Sequence, residues 1–436
     1  MKRIQYGFVL MVMAGAMDWM APVRAVAQVE NVKKARVLYK QAYQAYGEKQ
    51  YEICLEKFQR AHKLRPTHPG IMYNLASMHA LLGNERQAFH WLNRVADMGI
   101  YLLLTKDDDF SLLKDRDAFK SVVARFEKNM APVGNSTRAF KLSEKDLITE
   151  SVAFDERQNT FYVSSIHKRK IVQITADGVT SDFITAEQDG VWSVFGLRVD
   201  AVRRVLWVCT AAVREMQHFQ AGEKGRAAVF KYDLDAKKLL KKYAVADTTA
   251  AHLFGDLTLD ATGNVYISDS DYNGIYRITQ KDDRLTEFVA PGWFSSLQGL
   301  AFTADAAWLF VADYAQGVFR IDMSTKQVLK LPIPPKVTQL GIDGLYFFDG
   351  SLIAIQNGVT PQRVIRIYLN DALDRVVGTK VMEANHPDFD EPTLGGIVGK
   401  TFYYVANSQW RRFDKEGHIF SLDKLAEPVI LKTRLD

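Results

Sequence analysis

Two patterns of hydrophobic and polar positions divide this chain into an N-terminal and a C-terminal part. In residues 30–130 the apolar residues recur at i, i+3, i+4 and i+7, which is the spacing of one helix face. From about residue 138 onwards, short runs rich in Val, Ile, Phe and Tyr are separated by turns that carry Asp, Gly or Asn, which is typical of antiparallel strands. The pattern therefore predicts a helical domain followed by an all-β domain.

One phrase occurs six times in the strand region, at intervals of roughly 40–60 residues. Its first strand reads TESVAF (149–154), VFGLRV (194–199), FGDLTL (254–259), LQGLAF (297–302), IDGLYF (342–347) and TLGGIV (393–398). A second strand follows each time, reading FYVSSI (161–166), LWVCTA (206–211), VYISDS (265–270), LFVADY (309–314), LIAIQN (352–357) and FYYVAN (402–407). A third and a fourth predicted strand complete each unit. Units of four strands, repeated six times, predict an all-β six-bladed β-propeller.

The pattern leaves open how the propeller ring closes. RAFKL (138–142) is a further strand that could pair with the last blade. That blade, however, already has four predicted strands, because HIFSLD (418–423) and PVILKT (428–433) read as its third and fourth.

The helical part predicts a small all-α tetratricopeptide-like array. Two amphipathic segments, 39–66 and 72–99, are followed by a helix at about 115–129. Late positions of the 34-residue repeat are matched by Phe58, Ala61 and Pro66, and again by Leu92, Val95 and Ile100. The large aromatic residue early in the motif is absent. Such arrays present a groove to a protein partner, and the alternative is that this one only packs on the propeller.

The N-terminus predicts an export signal. Lys2 and Arg3 precede an apolar run over residues 7–16, and Ala25-Val26-Ala27 has the pattern of a cleavage site. An N-terminal anchor helix is the alternative, but the run is shorter than the roughly 20 residues that span a bilayer. We therefore expect a periplasmic or secreted protein with no membrane span after signal removal. The predicted boundaries are 1–27 for the signal, 28–130 for the helical domain, 131–137 for a linker and 138–436 for the propeller.

Composition narrows the function classes only slightly. The 436 residues are 47% hydrophobic and 25% charged, which is an ordinary globular composition. The net charge of +5 is mild and no long basic run is interleaved with aromatic residues, so nucleic-acid binding is not expected. Cys54 and Cys209 lie in apolar patterns and predict two buried thiols, with a disulfide as the alternative.

Candidate chemistry lies just ahead of the inner strands. In a propeller these positions, together with the ends of the second strands, surround one mouth of the central channel, which is the default site. The six positions are Glu150, Phe195, Gly255, Gln298, Asp343 and Leu394. Two carboxylates and an amide oxygen converging there suit a hard divalent cation and a small-molecule ligand. The alternative is that these polar groups cap strand ends and bind channel water.

Further polar residues extend the predicted site around the mouth. Polar groups concentrate on blades four to six, and this asymmetry favours a ligand pocket over a uniformly lined water channel. The predicted substrate-binding residues are Asp256, Asp313, Gln356, Asn357, Thr393, Asn407 and Trp410.

These phrases resemble the senescence marker protein/gluconolactonase family of regucalcin-like six-bladed propellers, over about residues 145–410. More distantly the chain is similar to strictosidine synthase-like and paraoxonase-like propellers. Matched by position, the resemblance implies a divalent metal (Ca²⁺, Mg²⁺, Mn²⁺ or Zn²⁺) held by Glu150, Gln298 and Asp343. It also implies metal-dependent hydrolysis of a lactone or ester, with Asp343 or Glu150 as the catalytic group that manages the proton of a water.

The match departs from the family pattern at two positions. Gln298 stands where the family has Asn, and Gly255 stands where another Asn assists, although Asp256 follows it. The alternative function is therefore a non-catalytic module, in which the propeller mouth binds a ligand and the helical array docks a protein.

Overall fold

The computed structural model describes residues 20–246 and 249–436, with side chains from residue 29 onwards. It confirms a helical N-terminal region followed by a six-bladed β-propeller. The predicted export signal lies outside the described side chains and stays a prediction. Within the described ranges, no helix combines the length and the apolar character needed to cross a membrane.

Five α-helices form the N-terminal region: α1 Met20–Gly47, α2 Tyr51–Leu64, α3 Pro69–Leu81, α4 Glu85–Asp97 and α5 Asp117–Asn129. The chain turns after Gly47, between α1 and α2, and at Gly83-Asn84, between α3 and α4. The helices pack through two apolar clusters, one built around Cys54, Phe58 and Leu75 and one around Leu92 and Phe110. The tetratricopeptide character of these helices stays a prediction.

Each propeller blade is a four-stranded antiparallel sheet. Blade 1 comprises β2 Val152–Asp155, β3 Thr160–Ser165, β4 Lys170–Ile174 and β5 Thr180–Ile184. Blade 2 comprises β6 Ser193–Asp200, β7 Val205–Ala211, β8 Ala227–Asp233 and β9 Lys238–Ala244. Blade 3 comprises β10 Phe254–Leu259, β11 Val265–Asp269, β12 Ile275–Ile278 and β13 Leu285–Val289. Blade 4 comprises β14 Leu297–Phe302, β15 Trp308–Asp313, β16 Gly317–Asp322 and β17 Val328–Lys330. Blade 5 comprises β18 Ile342–Phe348, β19 Ser351–Gln356, β20 Arg363–Leu369 and β21 Val376–Ala384.

Blade 6 closes the ring with strands from both ends of the propeller. Its order is β22 Gly395–Val398, β23 Thr401–Val405, β24 Val429–Arg434 and then β1 Thr137–Lys141, which pairs antiparallel with β24. The prediction of a third strand at 418–423 is therefore wrong, since that segment is mostly loop and β24 takes its place. The strand β1, from the N-terminal end of the propeller, is the fourth strand of blade 6, so the C-terminal segment supplies only three strands.

The propeller core is divided among the seams between blades. A separate cluster of buried apolar side chains fills each of the six seams, for example Tyr162 and Leu197 between blades 1 and 2. Both faces of each blade are therefore buried, and this is why the second strands read as nearly continuous apolar runs. Cys54 and Cys209 are buried free thiols, as the sequence predicts.

The helical domain packs on the propeller near blades 4 and 5. Arg363, at the start of β20, donates from Nη1 to the carbonyl oxygens of Met98 and Gly99, 3.3 and 3.0 Å away, at the C-terminal end of α4. The backbone nitrogen of Tyr101 donates to the carbonyl oxygen of Thr360 at 2.7 Å. These contacts attach the helices to loops that follow second strands, which lie on the same face as the channel mouth.

Candidate functional site

A cavity of about 380 Å³ lies at the mouth of the channel, and we call it the mouth pocket. All six positions that the sequence places ahead of the inner strands line it: Glu150, Phe195, Gly255, Gln298, Asp343 and Leu394. Of the predicted substrate-binding residues, it is also lined by Asp256, Asn357, Thr393 and Trp410. The repeat thus brings distant segments of the chain to one axis.

β-Bulges place four of the six positions ahead of the inner strands at the mouth pocket. In blades 2 to 5 the pairing of the first and second strands shifts register at the same point of the phrase, for example between Leu297 and Leu300 and between Ile342 and Leu345. The extra residue of a bulge bends its strand and redirects a side chain. Gln298 and Asp343 lie in these bulges, which is why both face the channel mouth.

Glu150 is fixed at the boundary between blades 1 and 6. Its side chain is 8% exposed, and Oε2 accepts a hydrogen bond from Trp410 Nε1 at 2.8 Å. Its carbonyl oxygen accepts from the hydroxyl of Thr393, also at 2.8 Å. Burial raises the pKa of Glu150 well above its usual range, Asp343 raises it further, and the Trp410 hydrogen bond acts in the opposite direction. Glu150 therefore tends to hold a proton.

Asp343 is held by an amide. It is 9% exposed, and Oδ2 accepts from Nδ2 of Asn357 at 2.8 Å. Asn357 also donates to the carbonyl oxygen of Pro392 and accepts from Tyr314 Oη at 3.0 Å, so its orientation is defined. Burial raises the pKa of Asp343 to about 7, since the amide hydrogen bond offsets only part of the desolvation and Glu391 adds repulsion.

An ion pair forms the floor of the mouth pocket. Asp256, 1% exposed, lies 3.4 Å from Arg198 Nη2, and Arg198 lies over the ring of Tyr346. Arg198 and Tyr346 line a second cavity of about 210 Å³ at the opposite side of this pair. Arg198 pairs with Asp256 and donates from Nη1 to the carbonyl oxygen of Gly395 at 3.0 Å, and none of its ion pairs among the described residues involves Glu150 or Asp343.

Glu391 is a fourth carboxyl group in the pocket, besides Glu150, Asp256 and Asp343. Its backbone has a φ of 69°, a left-handed conformation that is unusual for a residue with a long side chain. Its Oε2 is buried and has no hydrogen-bond partner among the described residues. Burial raises the pKa of Glu391, and Arg411 partly opposes this. A strained backbone holding an unpartnered carboxyl oxygen is typical of a binding site.

The donors of the mouth pocket fit a hard cation in chemistry. The amide of Gln298 lines the pocket and has no hydrogen bond to other described residues, so it is available to a ligand. Within the described part, no group of three or more His, Cys, Asp or Glu side chains is arranged to hold a metal ion. A cation here would therefore depend on the Gln298 amide together with Glu150 and Asp343, an all-oxygen set that suits Ca²⁺ or Mg²⁺.

Three predicted substrate-binding residues do not line the mouth pocket. Asp313 accepts hydrogen bonds from the backbone of Ser295 and Ala315, and Gln356 donates to carbonyl oxygens of Thr338 and Leu340. Asn407 donates to the carbonyl oxygen of Glu427 and accepts from the nitrogen of Val429. All three hold neighbouring loops, since polar side chains at the ends of second strands also meet unpaired backbone groups.

Several lining residues are not among the predicted site residues. They are Tyr314, Ser270 and Leu253. Tyr314 and Ser270 each directly follow the last residue of a second strand, so their place in the phrase was a usable signal.

No family model matches the chain, and no curated protein matches its sequence. Solved structures that are similar to part of it include a gluconolactonase from Xanthomonas campestris, at 13% identity and a TM-score of 0.44 over 70% of this chain and 99% of that one. Virginiamycin B lyase from Staphylococcus aureus matches at 14% identity and a TM-score of 0.45, over 69% and 99%. A luciferin-regenerating enzyme matches at 14% identity and 0.46, over 69% and 95%. Likeness at this level carries no argument about activity, and the six-bladed architecture stands on the strand pairing described above.

Proposed function

We propose that the mouth pocket is the active site of a hydrolase that cleaves a lactone or an ester. The observation that carries this proposal is the pair of buried carboxyl groups, Glu150 and Asp343, which line one cavity and form no ion pair with a described cationic side chain. Buried carboxyl groups whose environments separate their proton affinities are typical of acid–base pairs.

The roles of the two groups follow from their proton affinities. Asp343, with its pKa raised to about 7, is ionised in part of the population near neutral pH and accepts the proton of an attacking water. Glu150, whose pKa burial raises well above the usual range, keeps its proton and donates it to the leaving alkoxide oxygen. The water oxygen bonds to the acyl carbon, the ester C–O bond breaks, and proton exchange with solvent restores both groups.

A divalent cation fits the same donors. Glu150, Gln298 and Asp343 would hold it, and it would supply positive charge that polarises the carbonyl group. Asn357 keeps Asp343 oriented toward the pocket in either case.

The test combines metal analysis of the purified full chain with a panel of lactones and aryl esters. We expect hydrolysis by the wild type, and a loss in kcat of roughly 10²–10⁴ in Asp343→Asn and in Glu150→Gln, the usual contribution of a general acid or base. Glu416→Gln, which removes an exposed carboxylate outside the pocket, is the matched control and should keep full activity. A wild type that binds no divalent cation and cleaves no member of the panel overturns the proposal, as does an Asp343→Asn variant with unchanged activity.

A second candidate function is ligand binding without catalysis. Gly255 favours it, because this pocket position carries no side chain where the resemblance implies a polar group. The helical domain, which packs on the face of the mouth, would then dock a protein partner. Calorimetry that detects a small lactone binding equally to wild type and Asp343→Asn, with no product formed, would select this function over hydrolysis.

We also propose that the protein acts in a periplasm or outside the cell. Its support is the sequence of residues 1–27, and its test is the N-terminal residue of the mature chain. Cleavage after Ala27 predicts a mature protein beginning at Gln28, whereas an uncut Met1 would contradict it.

A further inference from the structure

A cleft separates the helical domain from the loops of blades 4 and 5. It consists of two cavities of about 380 and 580 Å³, which share the lining residues Arg65, His68, Ala315 and Leu340 and therefore adjoin. We call the two together the interdomain cleft. Tyr314 lines both this cleft and the mouth pocket, so the two spaces meet at one side chain.

The interdomain cleft is rich in positive charge that has no counter-ion. Lys330 and Arg65 line it and are both partly buried. Arg65 donates to the carbonyl oxygen of Ala315, which is neutral, and within the described residues neither Arg65 nor Lys330 forms an ion pair with a carboxylate. Arg36 and Lys40 lie exposed along the second cavity. Buried cations normally have an anionic partner, because desolvation of an unpaired charge is costly.

The titration behaviour agrees with this geometry. Burial lowers the pKa of Lys330, and the charge of Arg65 lowers it further. Burial likewise lowers the pKa of Arg65 to about 10. Asp313 is the nearby carboxylate that opposes both effects, and its oxygens accept hydrogen bonds from Ser295, Ala315 and Gln316. Among the described residues it forms no direct ion pair with Arg65 or Lys330, so it offsets the positive charge of the cleft only at a distance.

A buried hydrogen-bond donor adds a second, independent observation. Gln339 lines the cleft and is 2% exposed, and its Nε2 has no acceptor among the described residues. Its Oε1 accepts from the backbone nitrogen of Val318 at 3.2 Å, so the amide orientation that leaves Nε2 unpartnered is defined. An unsatisfied buried donor beside unpaired cations fits an acceptor that carries negative charge.

We propose that the interdomain cleft binds an anionic group, a carboxylate or a phosphate, on a ligand whose uncharged part enters the mouth pocket. Anion binding follows from Lys330, Arg65 and Gln339 alone. Its connection to the mouth pocket, through Tyr314, rests on the proposed function and makes the substrate an anionic lactone or ester. The carboxyl groups of the mouth pocket repel an anion, so the charged end of the ligand belongs in the cleft and the neutral end in the mouth.

The test is binding of simple anions to the full chain. Inorganic phosphate and acetate are titrated separately by calorimetry into wild type, Lys330→Gln and Lys380→Gln. Lys380 is the matched control, because it also lies on the outer strand of a blade but is exposed on β21, away from the cleft. Either substitution lowers the net charge equally. We expect one saturable site in wild type and in Lys380→Gln, and affinity lower by about tenfold or more in Lys330→Gln, as for loss of one hydrogen bond to a charged group. The anion that binds more tightly identifies the ligand class.

Equal affinities in the two lysine variants, or no saturable binding of either anion, would overturn the proposal. Asp343→Asn should leave anion binding unchanged, so a failure of the proposed hydrolysis is seen separately from a failure of the cleft. If the wild type cleaves esters, Lys330→Gln should raise KM for an ester that carries a carboxylate and leave KM for its neutral analogue unchanged, with kcat retained for both. A change in both KM values contradicts the assignment of the cleft to the anionic end.

Discussion

The mouth pocket is defined by carboxyl side chains whose negative charge is not balanced by the described residues around them. Four carboxyl groups, those of Glu150, Asp256, Asp343 and Glu391, line it, and among the described residues only Asp256 forms an ion pair, with Arg198. Burial raises the pKa of Glu150, Asp343 and Glu391, and repulsion from other carboxyl groups of the pocket raises the pKa of Glu150 and Asp343 further. Such a pocket is stable only when protons or a bound cation neutralise it, because isolated buried charges are costly.

This competition between protons and cations predicts a pH dependence. A group with a raised pKa is still protonated at a pH where ordinary carboxyl groups are ionised, and a divalent cation must displace that proton to bind. With the pKa of Asp343 at about 7, we expect the affinity for Ca²⁺ or Mg²⁺ to rise as the pH rises from 5 to about 7. One displaced proton corresponds to roughly a tenfold change per pH unit, and Glu150 makes the dependence steeper. Calorimetric titrations at several pH values measure this.

Asp343→Asn is the control for this pH dependence, because an amide has no proton to lose in this range. The variant should bind cations weakly, with a smaller change between pH 5 and 7. An affinity that is constant over this range in wild type would contradict the raised proton affinity of the pocket.

At the scale of the strand, Gly299 of the repeated phrase allows two inner strands to approach each other closely. The inner strands approach each other so closely at the mouth that a Cβ on Gly299 would lie 2.7 Å from the carbonyl oxygen of Asp343, and closer still to the backbone nitrogen of Leu345. The obstacle is backbone, which cannot rotate away. The bulge that presents Gln298 and the one that presents Asp343 therefore depend on this glycine.

Gly299→Ala should destabilise the propeller by at least about 2 kcal/mol, as expected for overpacking against a backbone that cannot move. Urea unfolding monitored by circular dichroism measures this. Gly378→Ala is the matched control, since Gly378 lies in β21 with open space around the added Cβ, and its effect should stay within about 0.5 kcal/mol. Similar effects in the two variants would show that close approach of the strands is not what requires glycine at position 299.

Two long-range connections hold the whole molecule together. The strand β1 pairs with β24, so residues from both ends of the propeller complete blade 6. Arg363 links the domains: it is 5% exposed, donates from Nε to Gln356 at 2.7 Å, and reaches the carbonyl oxygens that end α4. A cation at the C-terminal end of a helix is stabilised by the helix dipole.

Arg363→Ala should lower the free energy of unfolding by roughly 2–4 kcal/mol, because it leaves buried carbonyl and amide oxygens without donors. Limited proteolysis should then cut between the helical domain and the propeller faster than in wild type. Arg375→Ala, at an exposed turn of blade 5, is the matched control and should behave as wild type. Unchanged proteolysis of Arg363→Ala would contradict a role for Arg363 in attaching the helical domain.

Much of this molecule could be predicted from local pattern. The helical spacing, the six-fold phrase and the residues just ahead of each inner strand depend only on neighbouring residues, and the repeat converts one position in the phrase into one position around the channel. That is why Glu150, Gln298 and Asp343 lie in one cavity. The prediction of a third strand at 418–423 was wrong. Strand-like composition does not show that a distant strand, β1, completes the sheet of blade 6 and that residues 418–423 are therefore not part of it.

By itself, therefore, the sequence determined the two domains, the blade number and the ring of positions at the mouth, since these follow from short-range periodicity. Only the tertiary structure decided how the ring closes, which side chains hold loops instead of facing the pocket, and that Arg65 meets Lys330 in the interdomain cleft. Each of these depends on contacts between residues far apart in the chain, and burial and charge at such contacts exist only once the domains have packed together.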